Sequence, residues 1–368
     1  MVKLRLPVRP LAFLAFALMS ILPAAAKQPQ LQARVAGESW PVAVYVTGPG
    51  EPYGAAAGLA DPAAGRPLTV DTPLRIASNT KTFVAATVLR LWEQRRIDLD
   101  APIAPLLTPA LDAILRADGY ATDRITVRHL LSHSGGLYDH GGDPRYIEAV
   151  LADPSHVWTR EELVRLATTY ADPPSAPGTE FRYSDTGYIL LGDIIERITG
   201  KNLAAAVREQ LRLDRLGLAA TWWERFEAAP AGAMRARQFL GARDATDIDP
   251  SMDLYGGGGL LMSARDLATF FAALFEGRVF DRPETLREML WHGPHRGARM
   301  YRLGIFVRQI GDREVYWHTG FWGTAAAYSP ATRIAAAAVS TNQDAYPRLQ
   351  ALVQQVAAGQ APAAPAPR

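Results

Sequence analysis

Ser78-Asn79-Thr80-Lys81 sets the reading of this 368-residue chain, because its lysine is one of four against 35 arginines. The others are Lys3 and Lys27, in and at the end of an apolar leader, and Lys201, beside Gly200. Guanidinium keeps its proton at any working pH, whereas a desolvated ammonium can lose its own and serve as a base. A serine and a lysine three residues apart on a helix share one face and lie within hydrogen-bond reach. Ser78 and Lys81 therefore read as a nucleophile and its activator. The plain alternative is an N-capping serine followed by a solvated lysine.

Outward from that run, Trp40 to Val46 reads as a strand, turned by Gly48-Pro49-Gly50. Residues 79–95 follow as a helix with Phe83, Val84, Val88 and Leu91 on one face. Thr186 to Thr199 is amphipathic and stops at Gly200. Ser263-Ala264-Arg265-Asp266 has the form of a capping box with Asp for Glu, and opens a helix that ends at Gly277. After residue 300 the pattern shortens to strands at Leu303–Ile310, Glu314–Trp317, Thr324–Tyr328 and Arg333–Ser340, then a helix from Pro347 to Ala358.

These elements predict an α/β (α+β) fold: an antiparallel sheet built from both chain ends and flanked by helices, with an all-helical subdomain inserted between its halves. The expected boundaries are a signal peptide at 1–26, a sheet domain from 27–95 and 250–360, a mainly helical insertion at 96–249, and a low-complexity tail at 361–368. The leader has Lys3, Arg5 and Arg9 before an apolar run from Leu11 to Leu22, too short to span a bilayer, and Ala24-Ala25-Ala26 as a small-residue cleavage site. A periplasmic or secreted protein with no stable membrane anchor follows as the expectation. Without the leader's three basic residues, 36 basic face 37 acidic, a net −1 that argues against a nucleic-acid partner. With no cysteine there are no disulfides and no thiolate chemistry, so the fold must rest on its apolar core.

Three further clusters could carry chemistry: Tyr183-Ser184-Asp185, His318-Thr319-Gly320, and His129 with His133. The histidine pair has the i, i+4 spacing used for zinc, but position 130 is Leu where a metalloprotease needs Glu. No metal or other cofactor is expected. Tyr183 falls between the turn Pro177-Gly178-Thr179 and a helix, a junction where a side chain can face a cleft. Gly320 permits close approach of another backbone or a ligand.

Taken in order, the three motifs Ser78-x-x-Lys81, Tyr183-Ser184-Asp185 and His318-Thr319-Gly320 resemble those of the serine β-lactamase and penicillin-binding protein superfamily, in its class C type branch of β-lactamases, DD-carboxypeptidases and esterases. The resemblance extends from Trp40 to Gly359, including Leu74-Arg75-Ile76-Ala77, Ile97-Asp98-Leu99-Asp100, the stretch from Ile125 to Leu137, Pro177-Gly178, and Gly257-Gly258-Gly259-Leu260. It implies an exported serine hydrolase working through an acyl-serine on D-Ala-D-Ala-type peptides or related amides. The alternatives are a small-ester esterase of the same fold and a penicillin-binding sensor or scaffold without turnover. The partner is then a small molecule or peptide: a peptidoglycan stem peptide, a β-lactam or an ester.

Carried onto these positions, the resemblance makes Ser78 the nucleophile, Lys81 its base or a fixed charge, and Tyr183 the proton shuttle, with a phenol made more acidic by the nearby ammonium. The backbone N–H groups of Ser78 and Phe321 form the oxyanion hole. His318 orients Tyr183 or substrate, Thr319 offers its hydroxyl to a substrate carboxylate, and Arg308 grips that carboxylate from the preceding strand. Asp185 stands where the family commonly has Asn; ionised, it only accepts hydrogen bonds. It can pair with Lys81 but cannot donate to an acyl-amide carbonyl, which weakens the β-lactamase reading.

Overall fold

The computed structural model describes residues 24–361, with side chains from residue 27. The leader read at 1–26 and the tail at 361–368 therefore lie outside the described residues, apart from the backbone of 24–26 and Ala361.

Both chain ends supply strands to one six-stranded sheet. The N-terminal part gives β1 (Val42–Thr47) and β2 (Tyr53–Ala57). The C-terminal part gives β3 (Phe306–Ile310), β4 (Arg313–Gly320), β5 (Thr324–Ser329) and β6 (Ile334–Ser340). The order is β3-β4-β5-β6-β1-β2, antiparallel throughout, and Val42↔Ser340 and Thr47↔Ala335 fix the register where the two ends meet. Strand β4 extends past the expected Trp317, so His318, Thr319 and Gly320 belong to the sheet itself.

The sheet's inner strands are alanine-rich (Ala325 to Ala327, Ala335 to Ala338) and buried on both faces. Small side chains there let helices lie close on either side, outweighing alanine's weak strand preference. Five helices matter most: α1 (Ala24–Ala36), α2 (Thr80–Glu93), α3 (Asp185–Thr199), α4 (Ala264–Phe275) and α5 (Tyr346–Ala357). Leu31 and Val35 of α1 and Leu349, Leu352, Val353 and Val356 of α5 cover one face, against Val42, Val44, Ala327 and Ala338. The other face carries α4, whose Phe270 stacks on Phe83 of α2 with ring centroids 3.6 Å apart. Each such buried side chain contributes ~1.5–3 kcal/mol.

Helices Pro109–Ala117, Val127–Leu131, Pro144–Ala152, Arg160–Tyr170, α3 and Leu203–Leu211 fill the stretch between the sheet's halves. Their buried Leu111, Leu130, Val164, Ile194 and Leu203 join the same apolar core as Val84 and Leu267. The inserted stretch therefore shares one core with the sheet. A small second sheet, Leu74–Arg75, Leu260–Met262 and Trp222–Trp223, ties the two regions together. Its pairing draws the glycine run before Leu260 alongside the turn after Arg75, where Ser78 lies.

Helix ends follow their sequence signals with one exception. Ser184 caps α3, and Gly200 ends it in the left-handed conformation at φ 69°. Ser263 caps α4 by accepting from the Asp266 N–H at 3.1 Å, but the reciprocal half of the expected capping box is not made. The Asp266 carboxylate accepts instead from Ala220 N at 2.7 Å and Thr221 Oγ1 at 2.8 Å. One methylene shorter than Glu, it reaches those donors rather than its own cap.

Candidate active site

Ser78 sits in a single 3₁₀ turn, Ala77–Asn79, that runs directly into α2. Ala77, just before it, has φ 44°, a left-handed conformation that is strained in a residue with a Cβ. The neighbourhood holds that turn in place. Ile76 N–H donates to Leu260 O at 3.0 Å, and Ile76 O accepts from Asn79 Nδ2 at 3.2 Å and Thr324 Oγ1 at 2.9 Å. Gly320 closes the arrangement: a Cβ there would lie 2.0 Å from Ile76 O, so only glycine lets the end of β4 approach this closely. This brings Phe321, the residue after Gly320, beside the nucleophile's turn.

Lys81 is fully buried and is not the solvated lysine of the plain reading. Its ammonium donates to Ser78 Oγ at 2.8 Å and to Gly257 O at 2.8 Å, and lies 2.5 Å from Asp185 Oδ1. The contact with Asp185 is an ion pair rather than an aligned hydrogen bond. Burial works to strip the proton from Lys81, but the Asp185 charge, joined by Asp253 when it is ionised, outweighs it and holds the ammonium protonated, its pKa raised. Asp185 correspondingly stays ionised, its pKa lowered: burial opposes that, and the Lys81 charge overcomes it.

Tyr183 enters from a loop immediately before α3, its ring 4.2 Å from the His133 ring and stacked at 6.1 Å on Phe306. The Lys81 ammonium lies 5.2 Å from the ring centroid. Burial raises the Tyr183 pKa, and the opposing pull of Lys81, including hydrogen bonding to Lys81 and Ser78, does not overcome it. The expectation of a more acidic phenol is thus corrected: desolvation wins, and Tyr183 rests protonated.

Two carboxylates that sequence reasoning did not assign lie near enough to feel the same ammonium. Asp139 Oδ1 accepts from Asp185 N at 2.9 Å, and its pKa is pushed up to about 7 by burial and by the Asp185 charge. Asp253, on the turn Pro250–Asp253, is likewise raised to about 7, by burial first, with the Asp185 charge adding and Lys81 opposing. A sequence signal for Asp253 existed in Gly257-Gly258. Cβ atoms there would meet Asp253 oxygens at 3.0 and 2.0 Å, so the glycine run makes room for that carboxylate.

The third motif is arranged differently from expectation. His318 is buried, and burial lowers its pKa to about 3, the Lys81 charge adding to this. Its Nδ1 accepts from Thr319 N at 3.0 Å and its Nε2 faces Tyr301 Oη at 3.3 Å. Its ring centroid is 6.5 Å from that of Tyr183, so it does not orient that phenol directly. The Thr319 hydroxyl is bonded to Tyr346 Oη at 2.7 Å rather than held free for a substrate carboxylate. Arg308 is placed away from the cleft. In register with Val315, on the face covered by α5, it donates to Gln354 Oε1 at 3.0 Å. Period-two alternation along a strand decides such a side, and it went against Arg308.

His129 and His133 do not form a helical pair. Helix Val127–Leu131 ends before His133, which is left-handed at φ 53°. His129 Nδ1 accepts from Thr126 N at 3.2 Å in a capping box, while His133 packs on Tyr183. Among the described residues no group of three or more His, Asp or Glu side chains is arranged to hold a metal ion.

Comparison with known proteins fits this geometry. The family model described as Beta-lactamase matches residues 32–360. Esterase EstB of Burkholderia gladioli is 40% identical over 169 residues, 42% of this chain and 40% of the esterase. The D-alanyl-D-alanine-carboxypeptidase/endopeptidase AmpH of Escherichia coli is 25% identical over 244 residues, 66% of this chain and 57% of that protein. The match thus spans well under two thirds of these curated relatives. Among solved structures, a D-stereospecific amidohydrolase from Streptomyces sp. superimposes with a TM-score of 0.72 at 28% identity, covering 87% of this chain and 94% of its own. The D-amino acid amidase of Ochrobactrum anthropi SV3 complexed with L-phenylalanine amide gives a TM-score of 0.72 at 27% identity, covering 86% and 91%.

Proposed function

This chain belongs to the Beta-lactamase family, within the serine β-lactamase and penicillin-binding protein superfamily of serine hydrolases, and we propose from that premise that it hydrolyses a small amide or ester through an acyl-serine at Ser78. The observation that carries the proposal is the buried Lys81 ammonium, hydrogen-bonded to Ser78 Oγ and Gly257 O and ion-paired with Asp185. A lysine donating to the serine oxygen leaves the serine proton free to pass to Tyr183.

In this reading Tyr183, in its ionised form, takes the Ser78 proton as Oγ attacks the carbonyl carbon and the C–O bond of the acyl-enzyme forms. Tyr183 then returns the proton to the departing amine or alkoxide. It next takes one from the water that attacks the acyl carbon, and passes it to Ser78 Oγ as the acyl-serine C–O bond breaks and the acid leaves. Lys81 acts as a fixed charge that stabilises the phenolate, and the N–H groups of Ser78 and Phe321 donate to the developing oxyanion. Because Lys81 and Tyr183 both rest protonated, the working form arises by loss of one proton from the pair, and activity climbs with pH.

The substrate class follows from charge. Two groups that were expected to grip a C-terminal carboxylate, Arg308 and Thr319, are engaged by Gln354 and Tyr346. Asp185 is ionised against the Lys81 ammonium, and Asp139 and Asp253, both raised to about 7, add negative charge as pH climbs past that value. Such a site disfavours a carboxylate beside the scissile bond and suits a neutral or amine-bearing substrate. That supports small esters and amino-acid amides over D-Ala-D-Ala peptides. A panel of p-nitrophenyl butyrate, D-phenylalanine amide, a D-Ala-D-Ala peptide and nitrocefin decides it. The ester and amide should turn over with the highest kcat/KM; preference for the peptide would reverse the assignment. We extend the proposal to export through the leader at 1–26. A mature chain beginning at Lys27 is the expected mass-spectrometric result, and a chain recovered in the cytoplasm with Lys3 intact would refute it.

A further inference from the structure

We propose that His133 is the positioning residue that sets Tyr183 in its working geometry, an inference that rests on the acyl-serine reading above. Residues 171–184 form neither helix nor strand; a single bridge of Glu180 to Arg296 ties the segment before Phe181, and no regular element holds residues 182–184. His133 grips Tyr183 from both flanks. The His133 carbonyl accepts from Arg182 N at 2.7 Å, and its Nδ1 accepts from Ser184 N at 3.1 Å. Between those two bonds, the imidazole lies against the Tyr183 ring at 4.2 Å. Residues before, at and after position 183 are thus all tied to one side chain and its carbonyl.

The chemistry of the imidazole narrows its purpose. Accepting from Ser184 N requires a bare Nδ1, which puts the proton of the neutral ring on Nε2. That Nε2 is buried with no hydrogen-bond partner among the described residues. It lies in a cage of Tyr188 and Tyr301, with ring centroids at 4.9 and 4.7 Å. An orphaned buried donor is destabilising. Phenylalanine would fill the same cage without it, so packing alone does not call for histidine. What phenylalanine lacks is the acceptor for Ser184 N. The backbone of His133 is also left-handed at φ 53°, a strained setting that fixes where the ring points. Burial, with the charge of Lys81 adding, keeps the ring neutral and the acceptor in place.

Two variants separate positioning from packing. His133→Phe keeps ring volume and loses the acceptor. His133→Asn loses ring volume but places Oδ1 at the Nδ1 position and tolerates positive φ. His133→Phe should lose kcat on p-nitrophenyl butyrate by ~10² with KM little changed, the size expected for a misplaced catalytic group, and His133→Asn should recover most of it. Wild-type kcat in His133→Phe, or no recovery in His133→Asn, would overturn the proposal. Ser78→Ala and Tyr183→Phe run alongside. If both keep activity, it is the acyl-serine reading that fails. If both lose it while His133→Phe does not, only the role of His133 fails. Should the Phe variant not fold, nitrogen-15 NMR of the histidine-labelled wild-type protein gives the answer. The His133 signal, assigned by its loss in His133→Asn, should show an unprotonated Nδ1 and a protonated Nε2 from pH 6 to 9. A protonated Nδ1 would refute the role.

Discussion

Asp185 Oδ1 lies 2.5 Å from Lys81 Nζ, and this ion pair keeps both partners charged against the cost of their burial. The carboxylate raises the pKa of Lys81, and its charge also raises that of Tyr183. Removing the charge while keeping the shape should release both. In Asp185→Asn the rising limb of kcat/KM against pH moves to lower pH by ~1 unit or more, and acylation by nitrocefin at pH 7 increases. Profiles measured from pH 5 to 10 test this. A limb that stays in place or moves higher would show that Asp185 does not control the pair.

Lys81 makes three contacts within a fully enclosed slot. Arginine keeps the charge but is longer and planar, and cannot satisfy Ser78, Gly257 and Asp185 from one point. Lys81→Arg should therefore lose at least ~10² in kcat while remaining folded by circular dichroism. Retained turnover would mean that charge alone is enough.

Gly320 provides a steric test of the oxyanion region. A Cβ at this position would lie 2.0 Å from the Ile76 carbonyl, a backbone atom that cannot step aside. Gly320→Ala should lower kcat by at least ~10² through displacement of the turn. Gly135→Ala, whose Cβ would meet only ordinary contacts at 3.5 Å and beyond, should retain activity. Equal effects from the two substitutions would remove the argument from close approach.

Much of this architecture was legible because it rests on local patterns. The strands from both chain ends, the apolar positions of α2 and α3 and the stop at Gly200 follow from spacing and residue type, whereas the joining of Tyr183 to Ser78 and Lys81 is what the resemblance of the three motifs implied. What was not legible depends on which residues meet across the fold. The side of the sheet taken by Arg308 follows from the pairing of β3 with β4, and its partner Gln354 lies on α5. The Thr319 hydroxyl is bound by Tyr346, also from α5. Asp139 and Asp253 come near Lys81 from separate turns; the glycine run at Gly257-Gly258 hints at Asp253, and no spacing in the chain announces Asp139. Tyr183 was expected to be acidic because a neighbouring charge can be read from sequence, while the depth of its burial cannot.

Asp253 couples the site to stability. Its pKa rises from an ordinary 3.8 to about 7 on folding, so the folded state binds more protons than the unfolded state between those values. Stability is therefore lost as pH climbs through that window and stays lost above it. Asp253→Asn removes the penalty. Its Tm should exceed the wild-type value at pH 8 by several degrees, with the difference shrinking towards pH 4. A gain larger at pH 4 than at pH 8 would reverse the sign and contradict the assignment.

Arg308→Ala should leave kcat/KM unchanged on every substrate in the panel, costing only the Gln354 hydrogen bond, ~0.5–1.5 kcal/mol. A selective loss on the D-Ala-D-Ala peptide would place Arg308 in the cleft after all.

The most direct measurement follows the covalent step at Ser78. Rapid mixing with p-nitrophenyl butyrate, quenched in acid and read by intact mass and peptide mapping, should show one butyryl group on the peptide containing Ser78. Ser78→Ala should show neither this adduct nor a pre-steady-state burst of p-nitrophenol. Acylation at another residue, or unchanged labelling and turnover in Ser78→Ala, would contradict the acyl-serine account.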